Sequence, residues 1–299
     1  MPQVRANGID LEYQTFGDPA AAPLLLVSGL GAQMITWDEG LCERLAGNGF
    51  HVIRFDNRDA GLSTKIEEAG PPDLVAAQAG NPKPAYQLED MADDAVGLLQ
   101  ALGIGASHIV GASMGGYISQ LIALNHPSRV LSLTLIMSGP SGKDGVRPRP
   151  EASQIFTRVP GPTREERIAH AIANRRILTG PDNPFDEEYE RRRAERLYDR
   201  SYYPDGMGRQ LIASMAAPSR LGRLPEVTVP ALVIHGLDDA LLPVDNGRRI
   251  AAAIPGAHLL ELEGMGHNIP VRYWREISDA IVEVARKASP VQPGAAWSS

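Results

Sequence analysis

The sequence predicts an α/β protein whose mostly parallel sheet is flanked by helices and interrupted by one helical insertion. Through residue 139, short apolar runs alternate with segments of helical periodicity, a pattern typical of βαβ units. No β-like run occurs over residues 140–223, where proline-rich stretches lead into charged helical patterns, and the alternation resumes at residue 229. We therefore expect an α/β core of residues 1–139 and 224–288, a helical lid of residues 140–223 over the strand ends, and a disordered tail of residues 289–299.

Each predicted strand is an apolar run bounded by turn residues. In chain order they are residues 9–15, which alternate as an edge strand does, then 23–27, 51–56, 108–110, 130–137, 229–236 and 258–262. The clearest helix is 88–102, because Met91, Ala95, Leu98 and Leu102 recur at helical spacing. Helices are also expected over 116–124 and 271–286.

Composition and charge exclude several classes of partner. The 299 residues carry a net charge of −7 with scattered Lys and Arg, which argues against nucleic acid or an anionic membrane surface. No apolar run approaches the roughly 18 residues of a membrane span, and the start lacks the apolar core of a secretory signal. We therefore expect a cytoplasmic protein.

The single cysteine, Cys42, forms no intramolecular disulfide and is interpreted as a buried structural thiol. The charged run 187–196 predicts a solvent-exposed helix face.

The motif that carries chemistry is the pentapeptide GASMG at residues 111–115, which follows an apolar strand and precedes a helix. This is the context of a nucleophile elbow, in which a serine sits on a sharp, strained strand-to-helix turn. The glycines on either side bring no Cβ into the crowded turn. Ser113 is therefore the predicted nucleophile.

A serine hydroxyl needs a histidine to take its proton, and the histidine needs a carboxylate to fix its tautomer. In chain order the acid and then the histidine follow the serine in such folds. His258 opens a strand and would point away from the serine, whereas His267 follows that strand and is the predicted base. Asp238 and Asp239, just past the strand 229–236, are two adjacent candidates for the acid, and the spacing alone favours neither.

The developing oxyanion needs backbone N–H donors that are in place before reaction. Met114 supplies one, because it follows the nucleophile and begins a helix. The glycine-containing segment 28–31 follows an earlier strand, and the N–H of Leu30 is the predicted second donor.

These blocks resemble the α/β-hydrolase superfamily over nearly the whole chain. Ser28 stands where the family usually has histidine in its oxyanion loop, a change that leaves the backbone donors in place. The resemblance also implies that the acid is Asp239, the fourth residue after His235. The block 56–63, the elbow and the length of the insertion are similar to those of methylesterases that act on anthracycline-type polyketides.

The resemblance implies a serine esterase that acts on small to medium, largely apolar esters through an acyl-enzyme, with no metal or organic cofactor. Perhydrolysis and carbon–carbon bond hydrolysis are alternatives on the same fold, and a ligand receptor without catalysis is the alternative from another class. Dehalogenation would need a carboxylate at the elbow. Aromatic and methionine side chains of the insertion are candidate substrate contacts, of which we select Tyr202 and Met215.

Overall fold

The computed structural model describes residues 2–156, 158–181 and 183–288. Its centre is an eight-stranded sheet, and its strand order is β1-β2-β4-β3-β5-β6-β7-β8. The strands are β1 (Gln3–Ala6), β2 (Ile9–Phe16), β3 (Ala22–Val27), β4 (Phe50–Phe55), β5 (Ser107–Ala112), β6 (Val130–Ile136), β7 (Ala231–Gly236) and β8 (His258–Leu262). Strands β3 to β8 pair in parallel, and only β1–β2 and β2–β4 are antiparallel. The predicted mostly parallel α/β architecture is confirmed.

Helices cover both faces of the sheet and follow the strands in alternation. They are α1 (Glu39–Gly47), α2 (Leu74–Gln78), α3 (Leu88–Ala101), α4 (Met114–Asn125), α5 (Pro150–Ser153), α6 (Arg164–Thr179), α7 (Glu187–Arg200), α8 (Pro204–Ala216), α9 (Asp245–Ala253) and α10 (Trp274–Arg286). Two apolar clusters fill the layers: α3, α4 and α9 pack on one face of the sheet, and α1 and α10 on the other. Burial of these aliphatic side chains is the main stabilising contribution.

Strand β2 is not the edge strand that the alternating pattern suggested. The short strand β1 pairs antiparallel with it through Gln3↔Glu12 to Ala6↔Ile9, and so β1 forms that edge of the sheet. A four-residue strand of mixed polarity has too little periodicity to be recognised in a sequence. Cys42, as expected, lies buried in α1, and burial raises the pKa of its thiol to about 12.

Residues 140–223, here called the insertion, leave the sheet after β6 and return to it before β7, and they contain α5 to α8. The expectation that the charged run 187–196 faces solvent is only partly right, and Arg200, beyond that run, also turns inward. Glu190 is buried and pairs with Arg175 of α6 at 3.2 Å, and Arg200 pairs with the fully buried Asp56 at 2.7 Å. The expected disordered tail, 289–299, lies outside the described residues.

Candidate active site

The strand ends bring the predicted site together. The segment containing Leu30 follows β3, Ser113 follows β5, Asp239 follows β7 and His267 follows β8. All four strands are parallel, so their carboxyl ends lie at one edge of the sheet, where α/β proteins open a crevice. Residues that are far apart in sequence therefore meet at one edge.

Ser113 occupies a strained backbone position between β5 and α4. Its φ is 56° and its ψ is −123°, a region that non-glycine residues rarely adopt. The turn is also crowded: an ideal Cβ at position 111 would lie 2.2 Å from the Ser119 Oγ, and one at position 115 would lie 2.1 Å from the Val27 carbonyl oxygen. Glycine at both positions is what allows β5, β3 and α4 to converge on the serine.

A hydrogen-bonded chain joins Ser113, His267 and Asp239. The His267 Nδ1 lies 2.7 Å from Asp239 Oδ2, and the His267 Nε2 lies 2.9 Å from Ser113 Oγ. Because a carboxylate can only accept, Nδ1 carries the proton and the bare Nε2 accepts from the serine hydroxyl. Asp239 is completely buried and His267 is nearly so. This arrangement is poised to move a proton from the serine to the imidazole.

The Asp239 carboxylate is saturated with donors. Its Oδ1 accepts the backbone N–H groups of Leu241 and Leu242 at 2.9 and 2.8 Å, and His235 Nε2 lies 3.5 Å from Oδ2. Burial by itself would raise the pKa of this carboxyl, but the electrostatic attraction of the His267 and His235 imidazoles and the hydrogen bond from His267 outweigh burial and lower the pKa to about 2. Asp239 therefore remains ionised beneath the imidazole.

His235, the residue from which the resemblance counts to Asp239, is itself part of this arrangement. It is fully buried at the end of β7, and its Nε2 donates to the Leu242 carbonyl at 2.6 Å. The two adjacent acids differ in their surroundings, because the N–H groups of the turn donate to Asp239 and not to Asp238. Asp238 is half-exposed, and its own N–H donates to the Met265 carbonyl.

The segment 28–31 lies against the elbow, as expected. An ideal Cβ on Gly29 would lie 3.2 Å from the Ser113 Cβ and 3.7 Å from its Oγ. Among the residues that the structure describes, no acceptor is found for the N–H groups of Leu30 or Met114. Both N–H groups are therefore available to donate to a bound group.

Tyr202 and Met215 lie in the insertion, outside this hydrogen-bonded chain. The Tyr202 ring packs on Tyr198 with 4.8 Å between ring centroids, beneath the Arg167 guanidinium. Both Tyr202 and Met215 are large side chains that remain partly exposed, by 38% and 41%. They are available for contact, but the structure assigns neither to a ligand.

The block 56–59 connects the core to the insertion through buried charges. Asp59 accepts from Arg209 of α8 through Nε at 2.8 Å and Nη2 at 3.0 Å, and Tyr86 donates to the same carboxylate at 2.9 Å. Burial would raise the pKa of the Asp59 carboxyl, but the hydrogen bonds from Arg209, Ile66 N–H and Tyr86 lower it instead. No local pattern in the sequence predicts the pairing of Asp59 with Arg209, because the two residues lie 150 positions apart.

No three His, Cys, Asp or Glu side chains among the described residues are grouped so as to hold a metal ion. None of the described helices combines the length and apolar character required to cross a membrane.

Comparison of the sequence with known proteins supports the family that the elbow and the loops indicated. Residues 22–271 match the model of the α/β hydrolase fold family. The chain is 31% identical to the rhodomycin D methylesterase DauP of Streptomyces sp. (strain C5), over 96% of this chain and 98% of that protein. It is also 31% identical to the rhodomycin D methylesterase DnrP of Streptomyces peucetius, over 94% of this chain and 96% of that protein.

Among solved structures, an esterase from Thermogutta terrifontis is 25% identical with a TM-score of 0.70, and the match covers 96% of this chain and 99% of that chain. The resemblance inferred from the elbow, the block 56–63 and the loops is thereby confirmed. The chain belongs to the α/β-hydrolase family.

Proposed function

We propose that this carboxylic ester hydrolase cleaves a methyl ester of a largely apolar substrate through a Ser113–His267–Asp239 triad. The observation that carries the proposal is the pair of hydrogen bonds, 2.9 and 2.7 Å, that links serine, imidazole and buried carboxylate. The methylesterase relatives favour methanol as the leaving alcohol. The substrate is thus a small molecule, as the relatives also suggest.

In the first half-reaction Ser113 Oγ attacks the ester carbonyl as His267 Nε2 takes its proton. Asp239 holds the imidazole in the required tautomer and stabilises the imidazolium that forms. The N–H groups of Leu30 and Met114 donate to the oxyanion, which develops next to the segment 28–31. His267 then gives its proton to the departing alkoxide, and methanol leaves an acyl-enzyme on Ser113.

In the second half-reaction water attacks the acyl-enzyme, with His267 Nε2 as the base. The same donors stabilise the second oxyanion, and the proton returns to Ser113 as the carboxylic acid departs. Every proton transfer passes through His267, and every developing negative charge lies near two backbone donors.

We further propose that the insertion is a lid that sets substrate choice, with Tyr202 and Met215 among its substrate contacts. It leaves from the carboxyl end of β6, at the edge of the sheet that carries Ser113. A cover at that edge excludes water and strengthens the electrostatic interactions beneath it. In this division, residues 1–139 and 224–288 supply the catalytic groups.

Covalent labelling tests the proposal directly. A fluorophosphonate should modify Ser113, as located by peptide mass mapping, and Ser113→Ala should neither be labelled nor release methanol from aryl and polyketide methyl esters. Methanol release separates ester cleavage from carbon–carbon bond hydrolysis. Turnover that survives in Ser113→Ala, or a label on another serine, would refute the mechanism.

A further inference from the structure

Gln210 of α8 is a fully buried polar side chain whose two ends reach two different loops of the core. Its Oε1 accepts the backbone N–H of Gly31 at 2.8 Å. Its Nε2 donates to the backbone carbonyl of Arg58 at 2.7 Å. Burying an amide is costly unless both of its groups are hydrogen-bonded, and here both are. One side chain of the insertion thus bridges the loops that follow β3 and β4.

The contact with Gly31 falls immediately after the proposed oxyanion donor. Gly31 has a φ of +63°, so the chain turns sharply there. Holding the Gly31 N–H holds the Leu30–Gly31 peptide plane, which is joined through the Leu30 Cα to the Gly29–Leu30 peptide that carries the Leu30 N–H. The direction of the Leu30 N–H therefore depends on an acceptor that the insertion supplies.

Neighbouring contacts hold Gln210 in place. The preceding residue, Arg209, forms the buried bidentate ion pair with Asp59. It also donates to the Tyr203 hydroxyl at 2.7 Å. Met207, one turn earlier on the same face of α8, packs against Gly31: its Cγ lies 2.7 Å from where a Cβ on that glycine would be. The amide is thus presented to the loop from an anchored helix.

We propose that Gln210 is a positioning residue for the oxyanion loop, acting through the Gly31 N–H to aim the Leu30 N–H at the developing charge. The proposal rests on the proposed function, since it assumes that Leu30 donates to an oxyanion. It also makes the insertion a contributor to the rate of the chemical step as well as to substrate choice.

The first test compares Gln210→Met, which keeps the length of the side chain but can make neither hydrogen bond, with Ser214→Ala one turn along α8. The Ser214 Oγ is buried and has no hydrogen-bond partner among the described residues, so its removal is a matched control. Losing an oxyanion-hole donor costs about 10²–10³-fold in kcat. In Gln210→Met the Leu30 N–H should point less accurately at the oxyanion, so kcat should fall by about 10-fold or more while KM changes little. Ser214→Ala should have wild-type kcat and KM.

A second readout separates positioning from stability. A trifluoromethyl ketone forms an oxyanion on Ser113, so its inhibition constant should rise in Gln210→Met by the same factor as kcat falls. If Gln210→Met fails to fold, Gln210→Asn, which is too short to span both loops, should reproduce the loss.

The outcomes are distinct. Inhibitor affinity and kcat in Gln210→Met that match those of Ser214→Ala would overturn the role of Gln210. A thermal midpoint that falls while kcat and inhibition stay unchanged would also overturn it. Methanol release that persists in Ser113→Ala would instead refute the proposed function, independently of how Gln210 variants behave.

Discussion

The backbone N–H of His267 donates to the carbonyl of Leu178 at 2.6 Å, and so the last turn of α6 holds the loop of the proposed base. Two side chains reinforce this contact. Asn183 Nδ2 donates to the carbonyls of Thr179 and Gly264, and Asn268 Nδ2 donates to Thr179 Oγ1 at 3.2 Å. The insertion therefore contacts the proposed catalytic centre at its histidine loop as well as at segment 28–31.

Asn183→Ala should loosen the histidine loop. The change leaves two carbonyl groups without their donor, at a cost of about 1–3 kcal/mol. We expect kcat to fall by about 10-fold while KM stays close to the wild-type value, because the imidazole is held less precisely. Steady-state kinetics on a methyl ester measures both. Asn174→Ala, on α6 but bonded to His170, is the control, and equal kcat values in the two variants would contradict the role of the contact.

Asp239→Asn should lower kcat by about 10⁴-fold, since an amide no longer fixes the His267 tautomer. The amide oxygen can still accept from the N–H groups of Leu241 and Leu242, so the loop should remain folded. Asp238→Asn should leave kcat near wild type and change stability by no more than about 1 kcal/mol, because Asp238 is half-exposed. Kinetics and urea unfolding measure the two effects, and the reverse order would show that Asp238 is the acid.

Substituting Tyr202 or Met215 by alanine should change the relative kcat/KM among esters of different size. Both are partly exposed, apolar and in the insertion, so they can contact the acyl or alcohol portion of a substrate. Labelling of Ser113 by a small fluorophosphonate should proceed at the wild-type rate. Val159→Ala, at an 89% exposed position of the insertion, is the control. Loss of turnover on every ester in a folded Tyr202 or Met215 variant would place a catalytic group in the insertion.

The free energy of unfolding should decrease as the pH is lowered from about 6.5 to about 4, because of His108 on β5. Burial lowers the pKa of its imidazole from 6.5 to about 4, and its Nδ1 lies 2.9 Å from Ser132 Oγ. In that window the unfolded chain binds a proton that the folded chain does not, so unfolding becomes easier as pH falls. The contribution is of the order of 2–3 kcal/mol. Urea unfolding at pH 7.5 and 4.5 should show a smaller pH dependence in His108→Asn, and parallel profiles would contradict the assignment.

The sequence predicted those parts of the site that can be recognised from neighbouring residues in the chain. Ser113 lies in a motif whose glycines have a steric reason, and His267 follows from the orientation of a parallel strand. Asp239 required the resemblance, because adjacent carboxylates in a turn are indistinguishable by spacing. Its distinction is three-dimensional: its carboxylate is buried and meets two backbone donors and His267.

The contacts between the insertion and the core could not be predicted from the sequence. Gln210 and Gly31 are 179 positions apart, and nothing in the charged pattern of α7 or α8 marks which polar side chains turn inward. Periodicity identifies apolar faces, whereas a buried arginine or glutamine becomes visible only when its partner is known. Strand β1 was not predicted for a different reason, because four residues of mixed polarity show no periodicity.

The buried pairs Arg200–Asp56 and Arg209–Asp59 restrict where this gene can be recombined with those of its relatives. The insertion joins two adjacent parallel strands, β6 and β7, so a foreign segment of another length fits the sheet without a change of register. A crossover that exchanges only residues 140–223 for a segment without the two arginines would leave two carboxylates unpaired in the interior, and breaking a buried pair costs about 3–5 kcal/mol. Functional chimaeras should therefore inherit residues 56–59 and the insertion from the same parent.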